Sequence, residues 1–449
     1  MSEKRHWDVI VVGGGPAGIM AALAASRNRA RTLIIERYGF LGGVLTFPLP
    51  ILAFLNAQGE RMVGGIPEEF IQRLTVLGGC AGHITHSILQ SYTPTDGEMI
   101  KYLVVLMLQE AEVDIRLHSQ CVDVRMRGNQ IEEVVVCSKS GRQSYSARIF
   151  VDATGDADVV ATSGAPVLIG REQDGLTQAA TLDFRMANVN LGETRSYLRT
   201  HPEESFYPLD DLDTTYLFMG FEAIVQKAQK AGAYHIPRDY LIFHRILRKD
   251  MVGINTTKVP VVALDVRALT QAELECRSQA MELVAVFQRY VPGFREAYLV
   301  DSPIQVGIRE TRRIVGEYTL STEDVLKGTR FADGIARSQY PLDIHDPTFR
   351  GRGLTQLQGA YEIPYRCLIP LQIDNLLVAG RCISGTHGAL SSARVMGTSM
   401  AMGQAAGSAA ALCVRHQTVP RKLDSQALLQ VLRTQGAIVH EETIRSAAD

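Results

Sequence analysis

After a short polar start the chain enters a nearly continuous apolar run, "WDVIVVG". Apolar side chains at successive positions suit a parallel strand buried on both faces, not a half-exposed one. "PAGIMAALAASRN" then predicts a helix, with Pro16 accommodated in its first turn, where a missing N–H costs nothing. "RTLIIE" predicts a second strand, completing a strand–helix–strand unit. "DGEMIKYLVVLMLQEAE" has helical spacing, with Asp96 placed to cap it. Between Val113 and Thr154, short apolar runs separated by Gly-Asn and Ser-Gly turns predict a β-meander. Its last strand, "ARIFVDAT", is again fully apolar at its centre.

The pattern changes over residues 165–347. Helical pieces ("FEAIVQKAQKAG", "TQAELECRSQAMELVAVFQRYV") mix with short strands ("MVGINTTKV", "DSPIQVGIRETRRI"). This predicts an inserted α+β domain on the substrate side. "NLLVAG" returns to a buried strand. "RCISGTHGALSSARVMGTSMAMGQAAGSAAALCV" then passes from a polar turn into a stretch built almost wholly of Ala, Gly, Ser and Met. Ser391 and Ser392 are expected to cap this helix, with Arg394 in its first turn. Its small side chains suit close approach to the first helix. The expected fold is therefore α/β. Residues 1–164 and 348–449 form a nucleotide-binding domain of parallel sheet plus meander, and residues 165–347 form a substrate or cap domain within it.

Composition narrows the function classes. A chain of 449 residues exceeds one ordinary domain. A formal net charge of −2 offers no basic field for nucleic acid or an anionic membrane. The seven cysteines are scattered, with no C-x-x-C and no Cys/His zinc spacing. Neither a disulfide framework nor a metal is expected, and reduced, packed thiols point to the cytoplasm. "KRH" ahead of an apolar run resembles a secretion signal, but Trp7, Asp8 and "GGGPAG" interrupt it. No run of about 18 uninterrupted apolar residues predicts a membrane span. Oligomeric state stays open.

The chemistry starts at Gly13-x-Gly15-x-x-Gly18, with Pro16 and Ala17 inside it, between the first strand and helix. Gly13 permits the tight turn, Gly15 lets a pyrophosphate approach the backbone, and Gly18 lets helix and strand pack closely. The helix N-terminus presents free N–H groups and a positive dipole end. Glu36 ends the next strand, placed to accept hydrogen bonds from a ribose. The fingerprint alone leaves NAD and FAD open. The chain holds one complete fingerprint, and "IFVDATGDAD" ends in a further Gly–Asp turn. A cofactor long enough to use several such turns is FAD.

"ERYGFLGGVLT" (36–46) resembles the E-R-x-x-x-L-G-G-x-x-T signature of a family of FAD-dependent oxidoreductases. That family belongs to the glutathione-reductase-type FAD-binding superfamily and is distantly similar to succinate dehydrogenase and fumarate reductase flavoproteins. "VDATGDAD", "GIRETRRIVGEYTLSTEDV", "YPLDIH", "YEIPYRCLIP" and "NLLVAGRCIS" resemble further blocks of it. The resemblance implies a Rossmann-like FAD-binding domain and assigns roles by position. Gly13, Gly15 and Gly18 cradle the pyrophosphate, and Glu36 and Arg37 hold the adenosine ribose. Gly42, Gly43, Val44 and Thr46 run toward the flavin. Val122 clamps the adenine through its main chain. Ala153, Thr154 and Gly155 pass beside the adenosine. Gly380 and Arg381 lie by the phosphate and ribityl chain. Ser392, Arg394, Val395 and Met396 lie at the flavin's pyrimidine edge. The histidine that binds flavin covalently in the succinate and fumarate enzymes has no counterpart beyond Glu36, so non-covalent FAD is expected.

Candidates for catalysis are less sharply defined. "RETRR" packs Arg309, Arg312 and Arg313 into five residues, and Arg312 is taken as the one that grips a substrate carboxylate. Struts to Glu310 and Glu317 are the alternative. His345 of "DIH", after Asp343, and His387 of "GTHG" are candidate proton carriers, with Tyr365 and Arg366 beside them. His83 and His86 suit a solvated loop, and Cys382 lacks a partner for redox chemistry. The expected function is hydride transfer between a small organic substrate and FAD. Two rivals remain: a binding or escort protein with structural FAD, and a non-flavin dehydrogenase.

Overall fold

The computed structural model describes residues 6–207, 212–351 and 353–440. β1 (His6–Val12) pairs in parallel with β2 (Thr32–Ile35), and α1 (Pro16–Arg27) crosses between them. α2 (Gly97–Glu110) starts where Asp96 Oδ1 accepts from the N–H groups of Glu98 and Met99, at 2.9 and 3.2 Å. β3 (Asp114–Arg116) joins the sheet beyond β2 in parallel. β4 (Gln120–Arg127), β5 (Gln130–Ser138) and β6 (Gly141–Asp152) form the antiparallel meander. The second half of β6 turns from that meander to lie parallel to β1.

A second, five-stranded sheet contains β7 (Phe184–Ala187), β8 (Leu217–Gly220), β9 (Leu241–Arg245), β10 (Val252–Ile254) and β11 (Tyr298–Asp301). Its order is β8-β9-β10-β7-β11, with antiparallel neighbours. α3 (Val266–Tyr290) covers one face, where Leu283 and Phe287 pack with Phe184 and Phe243. The helix expected near residue 221 is Glu222–Lys230. "DSPIQVGIRETRRI" is not the single strand its pattern suggested. Only Asp301 belongs to β11, and only Arg312–Ile314 re-forms a strand. Pro303 has no N–H to give a ladder, and Arg309 turns into a cavity described below.

The chain returns to the first sheet as β12 (Leu376–Val378), parallel to β6. α4 (His387–Ala393) and α5 (Met396–Arg415) follow. The expected single helix is thus two helices, separated by the extended Val395. Ser391 and Ser392 lie inside α4 and are not caps. Thr386 caps α4 by accepting from Ala389 N–H, while α5 begins at Val395 with no side-chain cap.

α5 lies directly against α1, as its composition suggested. A Cβ on Gly403 would sit 2.1 Å from the carbonyl oxygen of Ala17, and one on Gly407 2.0 Å from that of Ala21. Only glycine permits that spacing. The core beneath these helices also takes in Leu320, Val325, Ile335 and Ala336 from the segment expected to form the cap. The second sheet has its own core. Among the described residues no helix is long and apolar enough to cross a membrane.

Candidate functional site

Val12, Ile35, Ala153 and Ala379 follow or end the parallel strands, and all four line one groove. This is the carboxyl edge of the sheet, where open α/β folds bind ligands. The groove encloses about 1010 Å³, mouth included. The three fingerprint glycines behave differently there. Gly13 has φ +102°, and a Cβ would fall 2.4 Å from Ala153 O. On Gly18 a Cβ would fall 1.8 Å from Gly13 O. On Gly15 it would meet nothing within 4 Å, so the backbone opens into the groove there. That open face beside the N-terminus of α1 fits a pyrophosphate.

Glu36, at the end of β2, accepts from Gly14 N–H (2.6 Å) and Tyr38 N–H (2.8 Å). Arg37 lines the groove and stacks over Tyr38, 4.8 Å from the ring centre. Pro16, Ala17, Gly43, Val44, Thr154, Gly155, Gly380 and Arg381 also line it. Arg381 pairs with Asp156 at 2.7 Å, so its charge is already matched. Gly18, Gly42 and Thr46 stand behind the wall. Gly42 N–H donates to Gly14 O at 2.8 Å, and Thr46 Oγ1 donates to Gly43 O at 2.8 Å. Val122 is not on the wall, but Ser119, Gln120 and Cys121 are. Val122 falls at a register shift between Cys121 and Asp123, a bulge that takes its main chain out of the ladder.

A second cavity, about 1370 Å³ with its mouth, meets the groove at Val44. Val395 and Met396, where α5 begins, form part of its wall. Leu52, Leu89, Leu217, Met219, Ile242 and Leu354 give it an apolar side. Its polar groups come mainly from the second sheet and the strands that feed it. Asp183 precedes β7 and is 2% exposed, and its Oδ1 has no hydrogen-bond partner. Burial pushes its carboxyl up to about 7, against the pull of Arg309 and Arg238. Burial likewise brings Lys258 down to about 8, helped by Arg238. His244 donates from Nε2 to Pro48 O at 2.5 Å, and burial lowers it to about 4.

His345 and Asp343 form a half-buried pair, Nε2 to Oδ2, at 3.1 Å. Burial, then Arg309, lowers His345 to about 3. Burial opposes ionisation of Asp343, yet His345, Arg394 and Arg309 outweigh it and hold that carboxyl below its usual range. His345 is thus neutral beside an anion, with its proton on Nε2. Arg394 donates to Gln178 Oε1 and to Asp343 O, both at 3.2 Å.

Of the residues singled out for catalysis, only His345 lines this cavity, joined by Arg394 from the cofactor set. Arg312 pairs with Asp158 at 2.9 Å, and Arg313 with the buried Glu310. Arg309 is the member of "RETRR" that reaches the cavity. His387 faces Glu310, Nδ1 to Oε2 at 2.8 Å, and lines neither space. Arg366 pairs with Asp333 at 2.9 Å, and Tyr365 donates to Pro420 O at 3.1 Å. Ser392 is buried and donates to Tyr340 O at 2.5 Å. His83 pairs with Glu68 at 3.0 Å, away from both spaces. Asp183, Arg238, Lys258 and His244 were not foreseen. Lys258 in "TTKVPVV" does carry a signal, a lone charge among uncharged residues.

The parallel sheet, the open glycine and the long groove at its carboxyl edge define a dinucleotide-binding flavoprotein fold. A family model, FAD dependent oxidoreductase, matches residues 8–432, and the chain belongs to that family. It is 32% identical over 109 residues to the sarcosine oxidase alpha subunit of Corynebacterium sp. (strain P-1), covering 24% of this chain and 10% of that subunit. It is 28% identical over 172 residues to thiamine thiazole synthase of Methanococcus vannielii, covering 34% of this chain and 59% of that enzyme. The chain thus spans only a small part of the sarcosine oxidase subunit. A geranylgeranyl bacteriochlorophyll reductase-like protein from Thermoplasma acidophilum shares the fold. Its TM-score is 0.52 at 12% identity, with 96% of this chain and 84% of that one covered.

Proposed function

We propose that the protein passes hydride between a small organic substrate in the cavity and FAD held non-covalently in the groove. The observation that supports this most is the shared wall: groove and cavity meet at Val44, beside the start of α5. When bound, FAD supplies the hydride acceptor or donor. The residues do the rest. The open backbone at Gly15 and the first N–H groups of α1 receive the pyrophosphate. Glu36, Arg37 and the chain at Ser119, Gln120 and Cys121, just before the bulge at Val122, hold the adenosine end. Gly380 and Arg381 flank the middle of the cofactor. The uncapped first turn of α5, with Arg394, sets a positive potential at the cavity end.

In the cavity, His345 stays neutral and presents Nδ1 as a hydrogen-bond acceptor, because Nε2–H is held by Asp343. Asp183, balanced near neutrality, is the proton carrier. The second sheet is the cap that closes the substrate space, on a base formed by residues 1–164 and 348–449 together with the 320–336 strip. The seven free cysteines suit a reduced, cytoplasmic setting.

The test is reduction of the purified yellow protein by light or dithionite, followed by flavin absorbance as oxygen, quinones and NAD(P) are added. Reoxidation by a small acceptor is the expected result. A flavin that exchanges electrons with no small molecule overturns hydride transfer in favour of structural FAD in a binding protein.

A further inference from the structure

Among the described residues, three cations in the cavity wall form no ion pair with a carboxylate. Arg238 is 2% exposed, and its described hydrogen bond is to the Tyr240 hydroxyl at 3.1 Å. Its Nε has no partner. Lys258 is 4% exposed and donates to Phe349 O. Arg309 donates to Ala179 O at 2.8 Å and to Thr181 Oγ1 at 2.6 Å, both neutral. No described carboxylate forms an ion pair with any of the three. Arg394 adds a fourth cation, close to Asp343 at 3.8 Å. Asp346 also lines the wall, but Arg171 matches it at 2.6 Å. Asp183 senses Arg309 and Arg238 without hydrogen-bonding to either.

A buried charge is costly unless an opposite charge and hydrogen bonds compensate it. Elsewhere this chain supplies such partners: Arg313 has Glu310, and Arg381 has Asp156. In the cavity they are withheld from Arg238, Lys258 and Arg309 together. Among the described residues no counter-charge is supplied, which leaves these cations open to a bound anion. The apolar part of the lining, Leu52, Leu89, Leu217, Met219 and Ile242, asks for an apolar body on the same molecule.

We infer that the cavity takes an organic carboxylate, its head group held by Arg238, Arg309 and Lys258 and its apolar body laid against the leucine–methionine wall. The inference rests on the cavity being the substrate space proposed above and names the class of substrate that enters it. Guanidinium groups grip a planar carboxylate through paired N–H donors, and an ammonium adds a point charge. Asp183 stands next to this head-group site, so its ionisation opposes the bound anion. Lys258, Arg238, Arg309, Arg394, Asp343, Asp346, Tyr240, Tyr340 and the neutral His244 and His345 are the other charged or titratable groups around it.

Calorimetry on the FAD-loaded protein tests this, with hexanoate, hexanamide, 1-hexanol and inorganic phosphate as probes. Hexanoate is expected to bind at least tenfold more tightly than the amide or the alcohol, and more tightly than phosphate. Arg309→Gln and Arg238→Gln, each retaining FAD, are expected to weaken hexanoate tenfold or more and to leave hexanamide unchanged. Equal binding of acid and amide overturns the inference, as does tighter binding of phosphate or hexanoate affinity unchanged in both variants. The probe series on the unaltered protein decides the matter even if a variant fails to fold. Calorimetry does not depend on electron transfer. An inert flavin with tight hexanoate binding removes only the proposed hydride transfer. A redox-active flavin with no preference for the acid removes only the carboxylate.

Discussion

The groove and the cavity share a wall but are built from different materials. The groove is made of backbone: glycines at positive φ, helix N-termini and strand ends, with its side-chain charges mostly matched. The cavity is made of charge: Arg, Lys and Asp side chains from segments flanking separate strands, several with unpartnered polar atoms. Backbone sites impose their demands on neighbouring residues, so they leave motifs. Charge sites impose theirs through space, so they leave scattered single residues. The groove should therefore break on an added carbon, and the cavity on an altered charge.

The largest effect is expected where the backbone of the groove's platform is tightest. Gly403→Val would set its Cβ 2.1 Å from Ala17 O, against the helix that carries the fingerprint. Ordinary overpacking costs about 1–3 kcal/mol, and here the contact is backbone on both sides, so no side chain can swing away. The soluble, folded yield should collapse, measured by size exclusion and thermal denaturation. A normal melting temperature would show that α1 and α5 can separate without cost.

Gly15→Val should act more narrowly. No protein atom lies within 4 Å of the added Cβ, so the apoprotein should fold and melt like the parent without FAD. The side chain would project into the space assigned to the pyrophosphate, and FAD content should fall to near zero. A fully yellow Gly15→Val protein would remove the fingerprint from the cofactor site.

This contrast explains what could be read from the sequence. The fingerprint, Glu36, the meander and the close packing of α5 on α1 were legible because each depends on residues a few positions apart. The break at Val395 was not, since the small residues on both sides read as one helix. The cavity was not either. Asp183, Arg238 and Lys258 are brought together only by the order β8-β9-β10-β7-β11, which no local spacing encodes. In "RETRR" the cluster was visible, but which arginine faces inward is decided by partners far away: Asp158 takes Arg312, and Glu310 takes Arg313.

A moderate effect is expected from removing a charge in the cavity. Asp183 titrates near 7 in the folded protein, against an ordinary 3.8. A raised carboxyl pKa means that the folded state holds the proton more tightly than the unfolded one. Its stabilisation is therefore full below the ordinary value and is lost as pH rises to about 7. Asp183→Asn does not titrate. The variant should gain on the parent by up to ~1.4 kcal/mol for each pH unit in that window, then level off. Urea denaturation at several pH values across the window measures it. A pH-independent gap would show that Asp183 is ionised throughout, already paired with Arg309 or Arg238.

The smallest effect separates cavity charges from those that merely resemble them in sequence. Arg366 stands in a family-like block beside Tyr365, yet its side chain is 45% exposed, pairs with the buried Asp333 and lines neither space. Exposed ion pairs contribute about 0–1 kcal/mol, because water screens them, and the buried carboxylate of Asp333, which also accepts from Arg366 N–H, places this pair at the upper end of that range. Arg366→Ala should leave FAD content and hexanoate binding unchanged and lower the melting temperature slightly. Arg309→Gln, an equally modest edit by sequence, should cost tenfold or more in hexanoate affinity. If Arg366→Ala instead weakened the carboxylate as much as Arg309→Gln, the anion site would extend beyond the cavity wall, and burial without a partner would no longer distinguish its cations from the rest.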